Sequence, residues 1–427
     1  MELRIPEGAR FRCLSCGRCC RTKSISLTAG EAERLQGFAT PEMGSVVSAI
    51  PTATGTRYHI RPRRDGSCPF LGEDGLCAIH KEHGPDEKPL ACRLYPFHFV
   101  RSPAGILVSL RFSCPAVAAG TGPPAAEAED ALRGLAREVG EMTGIKAVGD
   151  RAHFDEDRRM SFADLSVLQK HLLAILDAPA DSLASRIRAL GEFMDLVASS
   201  SLEAPTRRRY WEGIRKGLGK RILARPLHPV SPPGLMERRL FRQVAFGLSA
   251  LSSPAALRMS LPGRLVFRLA QALRGTLYIF GRRSLGRAPG AESLDGAIAR
   301  IGAGREEEAR PPGEPLVRFL RMQAASYAFF ADRYTPTTVL GGAQALLLGA
   351  PFALWFARAA AAQGPLTFEH AVEGLVRLAD AYATPVASSL LGLGLSGRLL
   401  HRRGTLERLL AWAAGTEPGE PVRFADA

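Results

Sequence analysis

Residues 11–20 read FRCLSCGRCC and place Cys13, Cys16, Cys19 and Cys20 within eight consecutive positions. The other cysteines are Cys68, Cys77, Cys92 and Cys114, and none follows in a chain of 427 residues. A segment this rich in thiols is a chemical unit of its own. Its sulfurs must be paired by oxidation, buried as neutral thiols, or given to a metal. The N-terminus, MELRIPEGAR, lacks the apolar run of an export signal. A reducing cytoplasm is therefore the expected setting, and there dense cysteines serve metals or redox chemistry more often than disulfides.

Zinc and iron both accept soft anionic sulfur. The three-residue steps between Cys13, Cys16 and Cys19 let one tight turn aim three sulfurs at one centre. Ferredoxin-type clusters use this spacing, completed by a distant cysteine that precedes proline. Cys68-Pro69 and Cys114-Pro115 are such pairs. Adjacent side chains diverge, so Cys19 and Cys20 are not expected to serve one metal in the same way. The eight thiols, Cys13, Cys16, Cys19, Cys20, Cys68, Cys77, Cys92 and Cys114, suffice for two four-ligand sites, or for one iron–sulfur cluster and one zinc. Cys77 is followed by His80 and His83 at ligand-like steps, but with thiols enough these histidines read as residues of a solvated loop.

The pattern along the chain predicts a mainly α protein. A small cysteine-rich α+β unit occupies residues 1–120, and a larger all-α domain occupies 121–427. In the first unit GILVSLRF reads as a buried strand, and CPFLGEDGLCAIH as a hairpin around Gly-Glu-Asp-Gly. A small-residue, Pro/Gly-rich stretch marks the boundary near residue 120. Beyond it, SFADLSVLQKHLLAIL spaces Phe162, Leu165, Leu168, Leu172 and Ile175 by three and four, with Ser161 as N-cap. DSLASRIRALGEFMDLV repeats the scheme. Further helices are predicted over LMERRLFRQVAFGLSAL, LVRFLRMQAASYAFF, TFEHAVEGLVRLADAY and TLERLLAWAA. Val339–Ala357 carries no charge over 19 residues, near the minimum for a membrane span. Gln344, Gly341-Gly342 and Pro351 favour a buried core helix, so no membrane span is expected.

FRCLSCGRCC, GSCPFLGEDGLCAIH and KPLACRLYPFHF together resemble the CxxCxxCC cysteine-cluster family, also called the YkgJ family and described as a zinc- or iron-chelating domain. The matching positions are Phe11, the cysteine quartet, Cys68 to Leu71, Cys77 with Ile79, Pro89, Cys92-Arg93, Tyr95-Pro96 and Cys114. Lys88 stands where the family often shows arginine. The family includes the flagellin lysine-N-methylases, which the helical half of this chain resembles in layout. The resemblance implies a metal held by the cysteines, S-adenosylmethionine as methyl donor, and a lysine-bearing protein such as flagellin as substrate. It carries over no catalytic residue. A zinc-stabilised interaction module and an iron–sulfur electron carrier are the other classes open to this sequence, although a bare carrier has no use for a long helical domain.

Outside the cysteines the signals are weaker. Gly392, Gly394 and Gly397 form a GxGxxG pattern without the preceding strand that a nucleotide site requires. The net charge of +14 rests on 49 arginines and seven lysines. TRRRYWEGIRKGLGKRILAR concentrates Arg207, Arg208, Arg209, Arg215, Lys216, Lys220, Arg221 and Arg225 around Tyr210 and Trp211. It reads as a solvated helix face with an aromatic anchor rather than as a nucleic-acid site. Arg93 and Tyr95 in CRLYPF read as supports beside a metal site.

Overall fold

The computed structural model describes residues 2–53, 55–142, 144–179, 182–200, 209, 211–213, 216–217, 231–251, 261–280, 291–303, 310–331, 338–361, 364–382 and 404–414. The glycine pattern at 392–397 and most of the arginine-rich stretch at 206–225 lie outside them. Of that stretch, Trp211 is fully buried and its indole N–H donates to Ser200 Oγ at 3.3 Å, while Lys216 pairs with Glu212.

The described residues are mainly helical, and their strands all fall before residue 162. In chain order the first part runs β1 (Leu3–Arg4), α1 (Arg18–Thr22), β2 (Ser26–Leu27), α2 (Ala29–Gly37), β3 (Val47–Thr52), β4 (Gly55–Ile60), α3 (Ala78–Glu82), α4 (Leu90–Leu94), β5 (Phe97–Ser102), β6 (Gly105–Leu110) and α5 (Pro115–Ala119). Two three-stranded sheets form, ordered β1-β6-β5 and β2-β4-β3. β6 is the continuous apolar run GILVSL, buried throughout. That is the pattern of a strand covered on both faces.

α6 (Glu129–Met142) and a small hairpin, β7 (Arg151–His153) with β8 (Arg159–Ser161), lead into α7 (Phe162–Asp177) and α8 (Leu183–Ser199). Ser161 and Ser182 each accept a hydrogen bond from the amide three residues on, at 3.2 Å. These caps satisfy amides that the first turn leaves over. The apolar stripe of α7 buries Leu165, Leu168, Leu172 and Ile175, and that of α8 buries Leu183, Ile187, Leu190 and Met194. Next come α9 (Leu235–Leu251), α10 (Leu261–Ile279) and α11 (Ala291–Ala303).

The single helix predicted over LVRFLRMQAASYAFF is in fact two, α12 (Glu314–Ala325) and α13 (Ala328–Ala331). Tyr327 takes a left-handed φ of 58°, and Ser326 Oγ donates to Met322 O and to Ser109 Oγ of β6. A tertiary hydroxyl contact ends a helix that local apolar spacing would have continued. α14 (Val339–Ala361), α15 (Phe368–Tyr382) and α16 (Thr405–Ala414) complete the set. α14 is long and apolar enough to cross a bilayer, but it is mostly buried and packs against α8, α15 and α16. The Gly72–Gly75 turn is present, though the hairpin expected around it shrinks to one bridge, Leu71 with Cys77, before α3 begins.

The apolar core is continuous across residue 120. Buried side chains of β5, β6 and α5 share one cluster with those of α7, α8, α12, α14 and α15. A second, small cluster of Leu27, Ala32, Leu35, Val46, Ile60, Phe70 and Ile79 lies under the β2-β4-β3 sheet.

α14 and α15 approach at Gly374, where a Cβ would meet Ala353 O and the Ala357 backbone and methyl. Gly374→Ala should therefore destabilise the fold by about 1–3 kcal/mol through overpacking. Gly296→Ala on α11, where nothing lies within 4 Å, should be neutral or slightly stabilising. Chemical denaturation of both variants checks the contrast.

Candidate metal centre

The quartet is set by one turn. Ser15 and Gly17 both have left-handed backbones, with φ of 53° and 66°. This reverses the chain twice between Cys13 and α1. At Gly17 a side chain would strike the Arg21 guanidinium and approach Leu71 Cδ1 at 3.3 Å, so both the φ and the space require glycine. The Ser15 amide donates to Cys13 Sγ at 3.4 Å, and the Arg18 amide donates to the Cys16 sulfur. α1 then presents Cys19 and Cys20.

Local contacts place the remote cysteines, and the first of them reaches this turn directly. The Cys68 amide donates to Cys20 O at 2.7 Å. The Leu71–Cys77 bridge returns the chain to place Cys77 at the N-cap of α3. Cys92 lies in α4, whose first amide, that of Leu90, donates to Glu31 Oε1 at 2.7 Å. The other oxygen of Glu31 closes the capping box of α2 with Thr28. Cys114 caps α5 and is buried. Thus one buried carboxylate, Glu31, fixes both α2 and the cysteine-bearing α4.

All eight cysteines are free. Cys19 and Cys20 do not diverge as the sequence suggests: their sulfurs are 4.0 Å apart. Two thiolates on one tetrahedral zinc would be about 3.8 Å apart, given zinc–sulfur bonds of about 2.3 Å. Their hydrogen bond lowers the Cys19 thiol to about 6 and pushes Cys20 up. Burial raises Cys68 to about 11, and Cys92 and Cys114 to about 12. Cys16 is also raised by burial. The electrostatic neighbours fall into two sets that meet at Cys19. Cys114 and Cys16 sense Cys19, and Cys16 also senses Cys13. Cys20, Cys68 and Cys92 sense Cys77 and Cys19.

Four sulfurs share one motif. The amide two residues on points at the sulfur of Cys13 from Ser15, of Cys16 from Arg18, of Cys68 from Phe70 and of Cys114 from Ala116, although at Cys114 the Val117 amide is the stronger donor. A neutral thiol is a weak acceptor, and amides aimed at sulfur stabilise its anionic, metal-bound form. The donor set therefore fits a soft metal. Among the described residues no three His, Cys, Asp or Glu side chains close into a finished ligand cage.

Residues 12–115 match the family model of the CxxCxxCC domain, described as "Putative zinc- or iron-chelating domain". The match spans about a quarter of the chain. No curated protein and no solved structure matches. The predicted cysteines all lie in this segment. His80 is exposed on α3, and His83 stacks on Phe38 with ring centroids 4.1 Å apart.

The CxxCxxCC segment is joined to the helical part by charges that the sequence reading did not single out. Asp380 of α15 accepts from Arg18 at 2.5 Å and from Lys23 at 2.6 Å. Lys23 Nζ also donates to Ser113 Oγ at 3.2 Å, and Tyr95 OH shares a hydrogen bond with the same hydroxyl. Desolvation raises the Tyr95 phenol well above its ordinary value and keeps it protonated. From α11, Arg300 donates to the carbonyls of Leu14 and Ser15 inside the quartet's turn. Arg93 pairs with Glu138 of α6, so it braces α4 from outside. Lys23 and Arg18 could have been suspected as cations beside thiols; Asp380 had no local signal at all.

Asp380→Asn removes the anion shared by two largely buried cations, and should cost about 3 kcal/mol or more. Denaturation of the variant, with hydrogen exchange along residues 13–23, checks this.

A second expectation concerns pH. Cys68, Cys92 and Cys114 have folded values of about 11 to 12 against an ordinary 9. In metal-free protein, the stability from these neutral thiols is fully present below pH 9 and is lost as pH rises through 11 to 12. Metal-loaded protein should lose stability at the other end, on acidification, because protons compete for the sulfurs. Paired pH-dependent melts of the two forms test both signs.

Proposed function

We propose that Cys13, Cys16, Cys19, Cys20, Cys68, Cys77, Cys92 and Cys114 hold zinc or iron, the iron as an iron–sulfur cluster. We further infer that the loaded chain methylates a protein lysine, as the flagellin lysine-N-methylases do. One observation carries the reading beyond simple metal storage. The thiols abut a buried polar junction built from both parts of the chain: Lys23, Tyr95, Ser113 and Asp380. The carboxylate at this junction comes from a helix more than 350 residues away, so the thiols border a site to which both parts of the chain contribute.

A bound metal would supply positive charge that compensates several thiolates in a dry setting. S-adenosylmethionine would supply the methyl group, and the lysine nitrogen that receives it would have to shed a proton. The amine must arrive unprotonated. Tyr95, held protonated by burial, can donate a hydrogen bond there but cannot take that proton. A cavity of about 50 Å³ opens beside Ser113, lined in part by His98, Arg111, Phe112, Phe319 and Gln323. It has room for a few waters and not for a donor of that size, which needs several hundred Å³. The methyl donor is therefore assigned no residues.

The experiment is metal and acid-labile sulfide analysis of anaerobically purified protein, followed by mass spectrometry of flagellin incubated with it and S-adenosylmethionine. Methylated lysine, lost in Cys16→Ser along with the metal, is the expected result. Zinc without transfer would instead make the chain a zinc-stabilised interaction module. Iron and sulfide with reversible reduction but no transfer would make it an electron carrier.

A further inference from the structure

α9 and α10 form an antiparallel pair whose outer face is apolar. Gly275 sits against the Phe246 ring, and Tyr278 packs near the same ring and accepts the Trp355 indole N–H at 2.6 Å. These contacts define the inner face of α10. At about 100° per residue, Leu269, Leu273 and Phe280 point to the opposite side. They are 62%, 62% and 55% exposed. Arg239 at the start of α9 lies over the Phe280 ring at 4.8 Å, so Leu235 and Met236, 65% and 67% exposed, continue the same row. An amphipathic helix normally turns such a stripe inward. Here five large apolar side chains share one outer face.

The charge of this part of the chain says what covers that face. Residues 201–290 hold eighteen arginines and lysines against three glutamates, a net +15 that exceeds the +14 of the whole chain. All of the protein's excess positive charge thus lies in the segment that carries the exposed stripe. The occupant must be anionic and must also accept leucine, methionine and phenylalanine. Nucleic acid meets the first demand but not the second, since it rewards stacking aromatics and not aliphatic side chains. The side chains stand exposed on the outer face of a helix pair, an arrangement that suits a fluid surface able to close around them.

We propose that the α9–α10 hairpin docks on an anionic phospholipid surface. Leu235, Met236, Leu269, Leu273 and Phe280 enter the headgroup boundary, and Arg239 and Arg274 beside them contact lipid phosphates. This is attachment to one leaflet and not a span. It is independent of the metal centre and of the methyl-transfer reading.

The test is co-sedimentation of the full, metal-loaded chain with vesicles of equimolar phosphatidylglycerol and phosphatidylcholine, and with vesicles of phosphatidylcholine alone. Binding to the first only, weakening steeply with added salt, is expected. A variant carrying Leu269→Gln, Leu273→Gln and Phe280→Gln should fold normally by circular dichroism, because all three sites are exposed, and should partition at least tenfold more weakly. Failure to bind phosphatidylglycerol vesicles at low salt would overturn the proposal. So would undiminished binding of the folded triple variant, or duplex DNA that displaces wild type and variant from the vesicles alike.

Discussion

The structure turns on free thiols, most of them partly withdrawn from water. Cys68, Cys92 and Cys114 are buried enough to be driven far from ionisation, yet amides are aimed at the sulfurs of Cys13, Cys16, Cys68 and Cys114. Those two facts pull in opposite directions. Burial favours the neutral thiol, and the amides favour sulfur with negative charge. A cation between the sulfurs reconciles them, since it allows deprotonation without an uncompensated buried charge. The zinc- or iron-chelating family that residues 12–115 match is consistent with that resolution. Left-handed turns at Ser15 and Gly17 bend the chain between Cys13 and Cys19.

The second constraint is the carboxylate of Asp380. Arg18 is almost fully buried and lies between Cys16 and Cys19 in sequence, so any movement of α1 moves both that cation and the thiols. Lys23 closes the other end of α1 on the same acid. The quartet is thereby fixed to α15, and through α15 to α14, a helix buried over most of its length. Glu31 does a comparable job inside the CxxCxxCC segment by tying α2 to the start of α4. Two carboxylates thus define where the thiols sit relative to everything else.

Much of this architecture was legible in the sequence wherever the determining contact was local. Ser161 announced α7, and the stripes at Leu165 to Ile175 and at Leu183 to Met194 marked the buried faces of α7 and α8. The run GILVSL marked β6, and the eight cysteines marked the chemistry. What stayed hidden was set by partners remote in sequence. The break between α12 and α13 depends on Ser109 meeting Ser326 across 217 positions. Asp380 is one acid in an otherwise ordinary amphipathic helix, and its two cations lie at the far end of the chain. The close sulfurs of Cys19 and Cys20 run against the divergence of adjacent side chains, which start about 100° apart on a helix.

Because the same short helix carries two of the thiols and ends in residues held by Asp380, metal loading and docking of the two parts are linked quantities. Whatever free energy the metal contributes by fixing α1 also favours the arrangement in which Arg18 and Lys23 face Asp380. By reciprocity, a helical part that holds those cations raises the affinity of the thiols for metal by the same factor. The continuous core across residue 120 strengthens that linkage, since the sheet behind the thiols and the helices that supply Asp380 cannot separate without exposing shared apolar surface. The thiol cluster is therefore better regarded as one wall of a junction than as a self-contained finger, and its chemistry has to be sought where Tyr95, Ser113, Lys23 and Asp380 meet.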